Sequence, residues 1–420
     1  MPPKPPAPRS GKILRLLVVS SDTYPAKRVD VAVLFGEELA GRGHRIDYIL
    51  QSEEQCSGAY VANWGGGKVW VGPTNVGASL FSRIHKHARA IIHELVLFRR
   101  LRSGQYDIIE VKDKVIAGVF AVVAARIYNI HFVYWLSYPM AEEYLLRARE
   151  GTARYPLLYV IRGAVSKFLL YRILLPAAVH IFVQSETMRG DVARHGIPMD
   201  RMTAVPMGIK PERFPASSER TGRRLLPPGE PCFLYLGTLN KVRRLDFLVR
   251  VLAKVLSALP RVKLYIVGSG DDPGDEQLLI QEAARLNVTQ ALVMVGQRPR
   301  AEALRYVQEA DVCVSPFFPT PILNSTSPTK LVEYLAMAKA VVANDHPEQR
   351  LVIEESGGGY CVPWEEGAFA NAIISLLEAP KTAARMGERG RRYVLEHRSY
   401  AKIADFVEAT FIDVATRADR

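Results

Sequence analysis

The stretch Asn324 to Asn344, NSTSPTKLVEYLAMAKAVVAN, holds a helix start, an amphipathic helix and a strand in one short run. Ser327 is placed to act as N-cap with Pro328 at the first helical position, leaving the amides of Thr329, Lys330 and Leu331 unpaired at a positive dipole end. Such an end attracts anions. Helical side chains lean toward the N-terminus, so Glu333 points back toward whatever sits at those amides. Leu331, Leu335 and Ala338 share one face, and Thr329, Lys330 and Glu333 the opposite one. That division also describes an ordinary solvated helix in which Lys330 and Glu333, three apart, pair with each other. The context of the rest of the chain decides between the two.

Ala340 to Ala343 follows as a strand-like run, and the same alternation of strand and helix fills the sequence, which argues for parallel sheets covered on both faces. A first series has strands at Ile13 to Ser20, His44 to Leu50, Asp107 to Val111, His131 to Leu136 and Val179 to Val183. Met202 to Pro215, with three prolines and a glycine, reads as a linker. A second series has strands at Cys232 to Leu236, Val262 to Val267, Ala291 to Val295, Val312 to Pro316 and Ala340 to Ala343. Two doubly wound domains leave a cleft between them, and ligands of such sheets bind beyond the carboxyl ends of strands.

With 420 residues, the chain has length for about two or three domains, and 48% hydrophobic with 23% charged residues reads as globular. No apolar run is long enough to span a bilayer, and MPPKPPAPRSGK, a Pro-rich start expected to be disordered, lacks a signal-peptide core. Cys56, Cys232, Cys313 and Cys361 are scattered without metal-like spacing, which points to a reducing, cytoplasmic compartment. The net charge of +12 fits nucleic acid, anionic membrane or phosphorylated substrates. Nucleic acid lacks any reading module. Ser82 to Arg102 reads as a basic amphipathic helix with Ile84, Ala88, Ile91, Ile92, Leu95 and Phe98 on its apolar side; it packs on a core or lies on anionic lipid. Arg154 to Ala178 is more apolar, interrupted by Arg162, Lys167 and Arg172, and either lies in a membrane interface or packs as a buried helix.

Four stretches, the opening one among them, resemble in order the donor domain of GT-B glycosyltransferases of family 4. YLGTLNKVRRLDFLV (Tyr235 to Val249) is similar to the strand, glycine turn and basic helix start of the family, and LYIVGSGDD (Leu264 to Asp272) to its Gly-x-Gly turn. VMVGQRPRAEALRYVQEADVCVSPF (Val293 to Phe317) resembles its nucleobase loop and next strand, and the opening stretch resembles its two-glutamate segment. Val183 to Phe214 is similar to the approach to the interdomain linker, and Arg391 to Phe411 to helices that cross back onto the first domain. The resemblance implies a GT-B fold, α/β, with two Rossmann-like domains facing a central cleft: a tail at 1–12, an acceptor domain at 13–205, a donor domain at 206–395 and a returning helix at 396–420.

The resemblance also assigns roles. Gly237, followed by Thr238, lets the backbone approach a phosphate; Arg243, with Lys241 beside it, opposes the charge of the leaving diphosphate. Glu333 accepts hydrogen bonds from ribose hydroxyls. Gln297 and Arg298 lie beside the base, and Gly268 shapes a turn of the donor site rather than an NAD site. Ser325, Thr326, Ser327 and the amides of Thr329, Lys330 and Leu331 complete the donor set.

Departures from the family cluster at the reaction centre and spare the nucleotide site. Ser325 stands where a first glutamate is usual, and Ser137 where a histidine is usual. The first loop offers Lys27 and Arg28 in place of paired glycines, a cationic loop suited to an anionic acceptor or an exposed basic turn. Asp113 is the candidate for orienting an acceptor hydroxyl, with Arg243, Asp113 and Ser137 as the catalytic set. The expectation is a metal-independent retaining glycosyltransferase without a cofactor, using a nucleotide-diphosphate sugar as co-substrate and a saccharide or lipid-linked envelope or exopolysaccharide acceptor, peripheral on the inner membrane face. A GT-B protein that only binds nucleotide or glycan, and a sugar-nucleotide epimerase, are the alternatives.

Overall fold

The computed structural model describes residues 12–56, 58–74, 88–214, 224–270 and 272–416. The expected tail, apart from Lys12, and the start of the basic helix at Ser82 to His87 lie outside these residues. The chain forms two compact units. One holds the described residues up to Pro206 and those from Tyr400 onward; the other runs from Met207 to Ser399.

The first unit is built on one sheet of β1 (Arg15–Tyr24), β2 (Arg45–Ser52), β3 (Tyr60–Trp64), β4 (Gly67–Gly72), β5 (Ile108–Lys112), β6 (His131–Leu136), β7 (His180–Val183) and β8 (Met202–Ala204). Its order is β3-β4-β2-β1-β5-β6-β7-β8, parallel except for the β3–β4 pair. The parallel strands read as continuous apolar runs because both faces are covered: Leu16, Leu17, Val18 and Val19 are all fully buried. The edge hairpin β3–β4 escaped the sequence reading, since β3 is largely exposed and lacks a buried-strand pattern. Gly65 and Gly66 close it with φ of 57° and 81°, which a two-residue loop of this hand requires. Part of the stretch read as a linker is β8, paired with β7.

The Tyr400–Thr416 helix closes this unit by packing on the Asp30–Leu39 helix. The Phe411 ring lies 6.3 Å from Phe35 and 5.2 Å from Phe182, and Arg42 ion-pairs with Glu408 at 2.6 Å and Asp405 at 2.8 Å. Removing a buried aromatic ring from such a contact costs about 3–5 kcal/mol, so this helix is part of the core.

The basic helix differs from its expected pattern. Residues 88–94 are helical, and a second helix runs Val96–Leu101 after Leu95. His93, Glu94, Leu97 and Leu101 face inward, whereas Ile92 and Leu95 are exposed. Buried Glu94 ion-pairs with Lys114 at 2.5 Å, and His93 reaches the Trp70 carbonyl at 3.1 Å. These polar partners turn the helix relative to its hydrophobic stripe. Arg154 to Ala178 splits between its two expected fates: the Pro156–Leu169 helix buries only Gly163, whereas Leu170, Leu174 and Leu175 beyond it are buried. Among the described residues, no helix is long and apolar enough to cross a membrane.

The second unit has a parallel sheet of β9 (Cys232–Leu236), β10 (Lys263–Val267), β11 (Leu292–Gly296), β12 (Val312–Ser315), β13 (Val341–Asn344) and β14 (Gly359–Val362). Its order is β11-β10-β9-β12-β13-β14. The order reverses between β9 and β12, and that of the first unit between β1 and β5. Loops leaving the strand ends at such reversals part in opposite directions and open a crevice for a ligand.

Candidate functional site

The reversal in the second sheet places Gly237, just past β9, beside the Thr329–Ala336 helix. Tyr334 fixes this placement: its hydroxyl accepts from the Leu236 amide at 2.8 Å and donates to the Leu236 carbonyl at 3.3 Å. Gly237 has φ of 153°, and a Cβ there would lie 3.1 Å from Lys330 Nζ. Gly268 answers to a different constraint. A Cβ on it would come 2.0 Å from the Gly237 carbonyl oxygen, so its lack of a side chain lets the neighbouring turn pack against it.

Lys330 donates to Tyr235 Oη at 2.9 Å, which in turn donates to the Thr238 carbonyl at 3.0 Å. Its ammonium lies 4.4 Å from the Tyr235 ring centre and 5.2 Å from that of Phe317. Arg243 donates from Nε to Thr238 Oγ1 at 2.9 Å and lies 5.8 Å from the same Phe317 ring. Phe317 is held by Asn344, whose amide bonds both its N–H and its carbonyl. Loss of surrounding water and then the Arg243 charge push Lys330 well below the usual lysine range, against the pull of Glu333. Arg243 and Lys330 share one aromatic platform, and a dianion placed there would relieve the opposition between their charges.

Gly237, Arg298, Thr329, Lys330 and Glu333 line one cavity of about 360 Å³, together with Leu236, Arg300, Ala303 and Leu304. Arg300 escaped the sequence reading. Its Nη2 donates to Glu333 Oε1 at 2.7 Å, so Glu333 pairs across to the Arg300–Glu309 helix. The signal was present in Arg300 at the first position of that helix, after the loop of Gln297 and Arg298, but nothing in the spacing to Glu333 could reveal it. Gln297 accepts from Ser269 Oγ at 3.4 Å, and Arg298 ion-pairs with Glu302 at 3.3 Å. The backbone N–H of Lys241 donates to Asp275 Oδ1 at 3.2 Å.

The helix start differs from its expected form. Pro328, not Ser327, occupies the N-cap position, Thr329 opens the helix, and no side chain caps it. Ser327 Oγ instead accepts from the Met207 amide at 2.9 Å. Ser325 Oγ donates to the Pro321 carbonyl at 3.2 Å, and Thr326 Oγ1 to that of Leu323 at 2.7 Å. None of the three lines the cavity. The Ser325 and Thr326 hydroxyls serve a short preceding helical turn, Pro321–Asn324, a local competition that Ser and Thr enter readily. The Leu331 side chain is fully buried, leaving only its amide for a ligand.

The reversal in the first sheet gathers another set. Asp113 follows β5 with φ of 55°, a left-handed conformation that Asp tolerates better than most residues. It accepts from the Ser137 amide at 2.8 Å and from Ser137 Oγ. Arg28 Nη2 donates to Ser137 Oγ at 2.8 Å, and the guanidinium forks onto Asp30 at 3.2 Å and 3.0 Å. Lys112 Nζ ion-pairs with Asp30 at 2.8 Å. Burial works against the charge on Asp30, yet Lys112 and Arg28 outweigh it and hold its carboxyl well below the usual range. Arg28, Asp113 and Ser137 therefore meet. The expected cationic loop does not form: Arg28 lies among Asp22, Asp30 and Asp113, and Lys27 ion-pairs with Glu53. A basic pattern in sequence says nothing of the carboxylates that folding brings opposite it.

Beneath them lies Glu110, fully buried, with neither carboxylate oxygen hydrogen-bonded among the described residues. Burial, reinforced by Asp30 and Asp113 and opposed by Lys112, pushes its carboxyl up to about 8. Among the described residues no group of three or more His, Cys, Asp or Glu is arranged to hold a metal ion.

Comparison with known proteins agrees with this architecture. Residues 30–213 match the family model described as Glycosyltransferase Family 4, and residues 230–379 that of Glycosyl transferases group 1. The chain is 26% identical over 212 residues to a D-inositol 3-phosphate glycosyltransferase of Nocardia farcinica, covering 49% of this chain and 46% of that one. It is 28% identical over 249 residues to an alpha-maltose-1-phosphate synthase of Mycobacterium tuberculosis, covering 54% and 62%. The chain spans about half the length of the curated relatives it matches. Among solved structures, sucrose-phosphate synthase from Thermosynechococcus elongatus superposes with a TM-score of 0.73 at 17% identity, over 96% of this chain and 100% of that one. Anabaena HepE in complex with UDP-glucose gives 0.66 at 13%, over 95% and 100%. At these identities the structural likeness speaks for the fold, and the two family models, which between them take in most of the sequence, place the chain in glycosyltransferase family 4, with the GT-B fold.

Proposed function

We propose that the protein transfers a glycosyl group from a nucleoside diphosphate sugar to a saccharide acceptor, lipid-linked and presented at the inner face of a membrane, with retention of anomeric configuration and without a metal. The observation that carries this reading is the pairing of Lys330 and Arg243 around Phe317 beside the cavity lined by Gly237, Thr329 and Glu333. In this reading the diphosphate lies against the uncapped amides of the Thr329–Ala336 helix and between the two cations. Glu333 keeps one carboxylate oxygen for Arg300 and offers the other to the ribose. HepE, whose structures hold UDP and UDP-glucose, makes a uridine nucleotide the first to test.

The bond from the sugar anomeric carbon to the diphosphate oxygen breaks as the acceptor oxygen bonds to that carbon on the same face. The acceptor proton passes to the departing phosphate, so no protein nucleophile is required. Charge accumulates on the leaving diphosphate, and positioned cations and amides stabilise it without reorganising. Asp113 and Ser137, fixed by Arg28, orient the acceptor hydroxyl.

A second reading, a protein that binds nucleotide without transfer, draws support from Ser325. It stands where a carboxylate would contact the sugar, and its hydroxyl is turned to the Pro321 carbonyl. A donor-turnover assay separates the two. Incubation with UDP- and GDP-sugars, with a chelator present, is expected to release nucleoside diphosphate and yield a product with the donor's anomeric configuration. Binding without release supports the second reading, and isomerised donor without transfer reveals an epimerase.

A further inference from the structure

The geometry points to the Pro156–Leu169 helix as the element that docks this protein onto an anionic lipid surface. The inference rests on the proposed transfer to a lipid-linked acceptor and names the face that meets the bilayer. Leu157, Leu158, Ile161, Val165 and Phe168 are 72%, 56%, 52%, 52% and 60% exposed. At about 100° per residue, these five fall within an arc of about 100°. Gly163, the one buried residue of the helix, lies on the opposite side. There the helix seats on the Met140–Arg149 helix so closely that a Cβ at Gly163 would come 2.7 Å from Leu145 Cγ. Sequence periodicity alone would turn the apolar arc inward; the glycine contact turns it out.

A contiguous exposed apolar arc marks an interaction surface, and its charges select the partner. The helix carries no Asp or Glu. Exposed Arg154 and Arg172 stand at its two ends, and Arg162 flanks the arc with its guanidinium 4.4 Å from the Tyr144 ring centre. Apolar side chains entering the acyl boundary with arginines at the headgroups is the arrangement of an interfacial helix. A second copy fits less well. Two-fold pairing through this arc brings identical arginine-flanked surfaces together, with no carboxylate on the helix to offset them.

The test is flotation of the full chain with vesicles of phosphatidylcholine alone and with about one-third phosphatidylglycerol. Wild type is expected to partition at least tenfold more strongly onto the anionic vesicles. Leu157→Ser/Ile161→Ser/Phe168→Ser should lose at least tenfold on them, and Arg154→Ala/Arg172→Ala should lose most of the anionic preference. Circular dichroism and thermal stabilisation by UDP follow folding and the donor site in each variant. Failure of wild type to float, or equal flotation of the triple variant, overturns the proposal. So does a wild-type dimer that the triple variant dissolves without any vesicle binding. If vesicles bind the arc but neither UDP nor GDP stabilises the chain, the transferase reading fails and the docking face stands.

Discussion

Replacing Glu110 by Gln tests the charge arrangement beneath the Arg28, Asp113 and Ser137 cluster. The substitution keeps size and shape but removes the ability to ionise. A carboxyl whose value rises from 4.5 to about 8 on folding costs roughly 4–5 kcal/mol more to charge in the fold than in the unfolded chain. Because the folded-state value is the higher one, the stabilising contribution of the protonated acid is fully present below the unfolded value. It is lost as pH climbs toward about 8. Wild type should therefore lose stability relative to Glu110→Gln by up to about 1.4 kcal/mol per pH unit across that window, with the other titrating groups cancelling in the difference. Urea denaturation of both proteins between about pH 5 and pH 9, followed by first-unit tryptophan fluorescence, reads this directly. The two should be close at the acid end, and the variant should be the more stable at the alkaline end. A difference that stays flat across the series refutes the reasoning, because it would mean that Glu110 ionises as readily in the fold as outside it.

Nucleoside diphosphate binding should be accompanied by proton uptake at pH values below the usual lysine range, since a dianion raises the depressed Lys330 value back toward that range. Calorimetry in buffers of different ionisation enthalpy measures it, and Lys330→Met should abolish it. Glu333→Gln should weaken UDP by about 1.5–3 kcal/mol, the range for a hydrogen bond to a charged group, while inorganic pyrophosphate, which lacks the ribose, should bind unchanged. Asp113→Asn and Ser137→Ala should each lower kcat for transfer with UDP affinity unaltered; weaker UDP binding by either would move the cluster out of the acceptor role.

The apolar runs disclose the central strands of both sheets because parallel strands buried on two faces leave an unbroken hydrophobic signature; β4, β8 and β14, each at or next to a sheet edge, lie outside those runs. The edge strand β3 left none, since one exposed hairpin arm held by Gly65 and Gly66 has no such run. Of the residues lining the cavity proposed for the donor, Gly237, Thr329, Lys330 and Glu333 stand out through local patterns together with family resemblance. Arg300, Asn344 and Tyr334 do not, as each acts through a contact that only the fold creates. The serines fared worst: Ser325 and Ser327 bond to backbone that arrives from elsewhere or from the preceding turn, and composition cannot foretell which carbonyl or amide a hydroxyl will choose. Asp113, Ser137 and Arg28 were chosen separately and meet at one strand reversal. The charge of that site does not follow from Lys27 and Arg28 alone, because Asp22, Asp30 and Asp113 fold against Arg28 and Glu53 against Lys27.

The central claim is that Lys330 and Arg243 form the diphosphate site of the second unit, and calorimetric titration of UDP into wild type and Arg243→Ala tests it most directly. One site per chain in wild type, with affinity falling at least tenfold in the variant, is the predicted result. Equal affinity in the two proteins, or no binding of any nucleoside diphosphate to a folded wild-type chain, would contradict it.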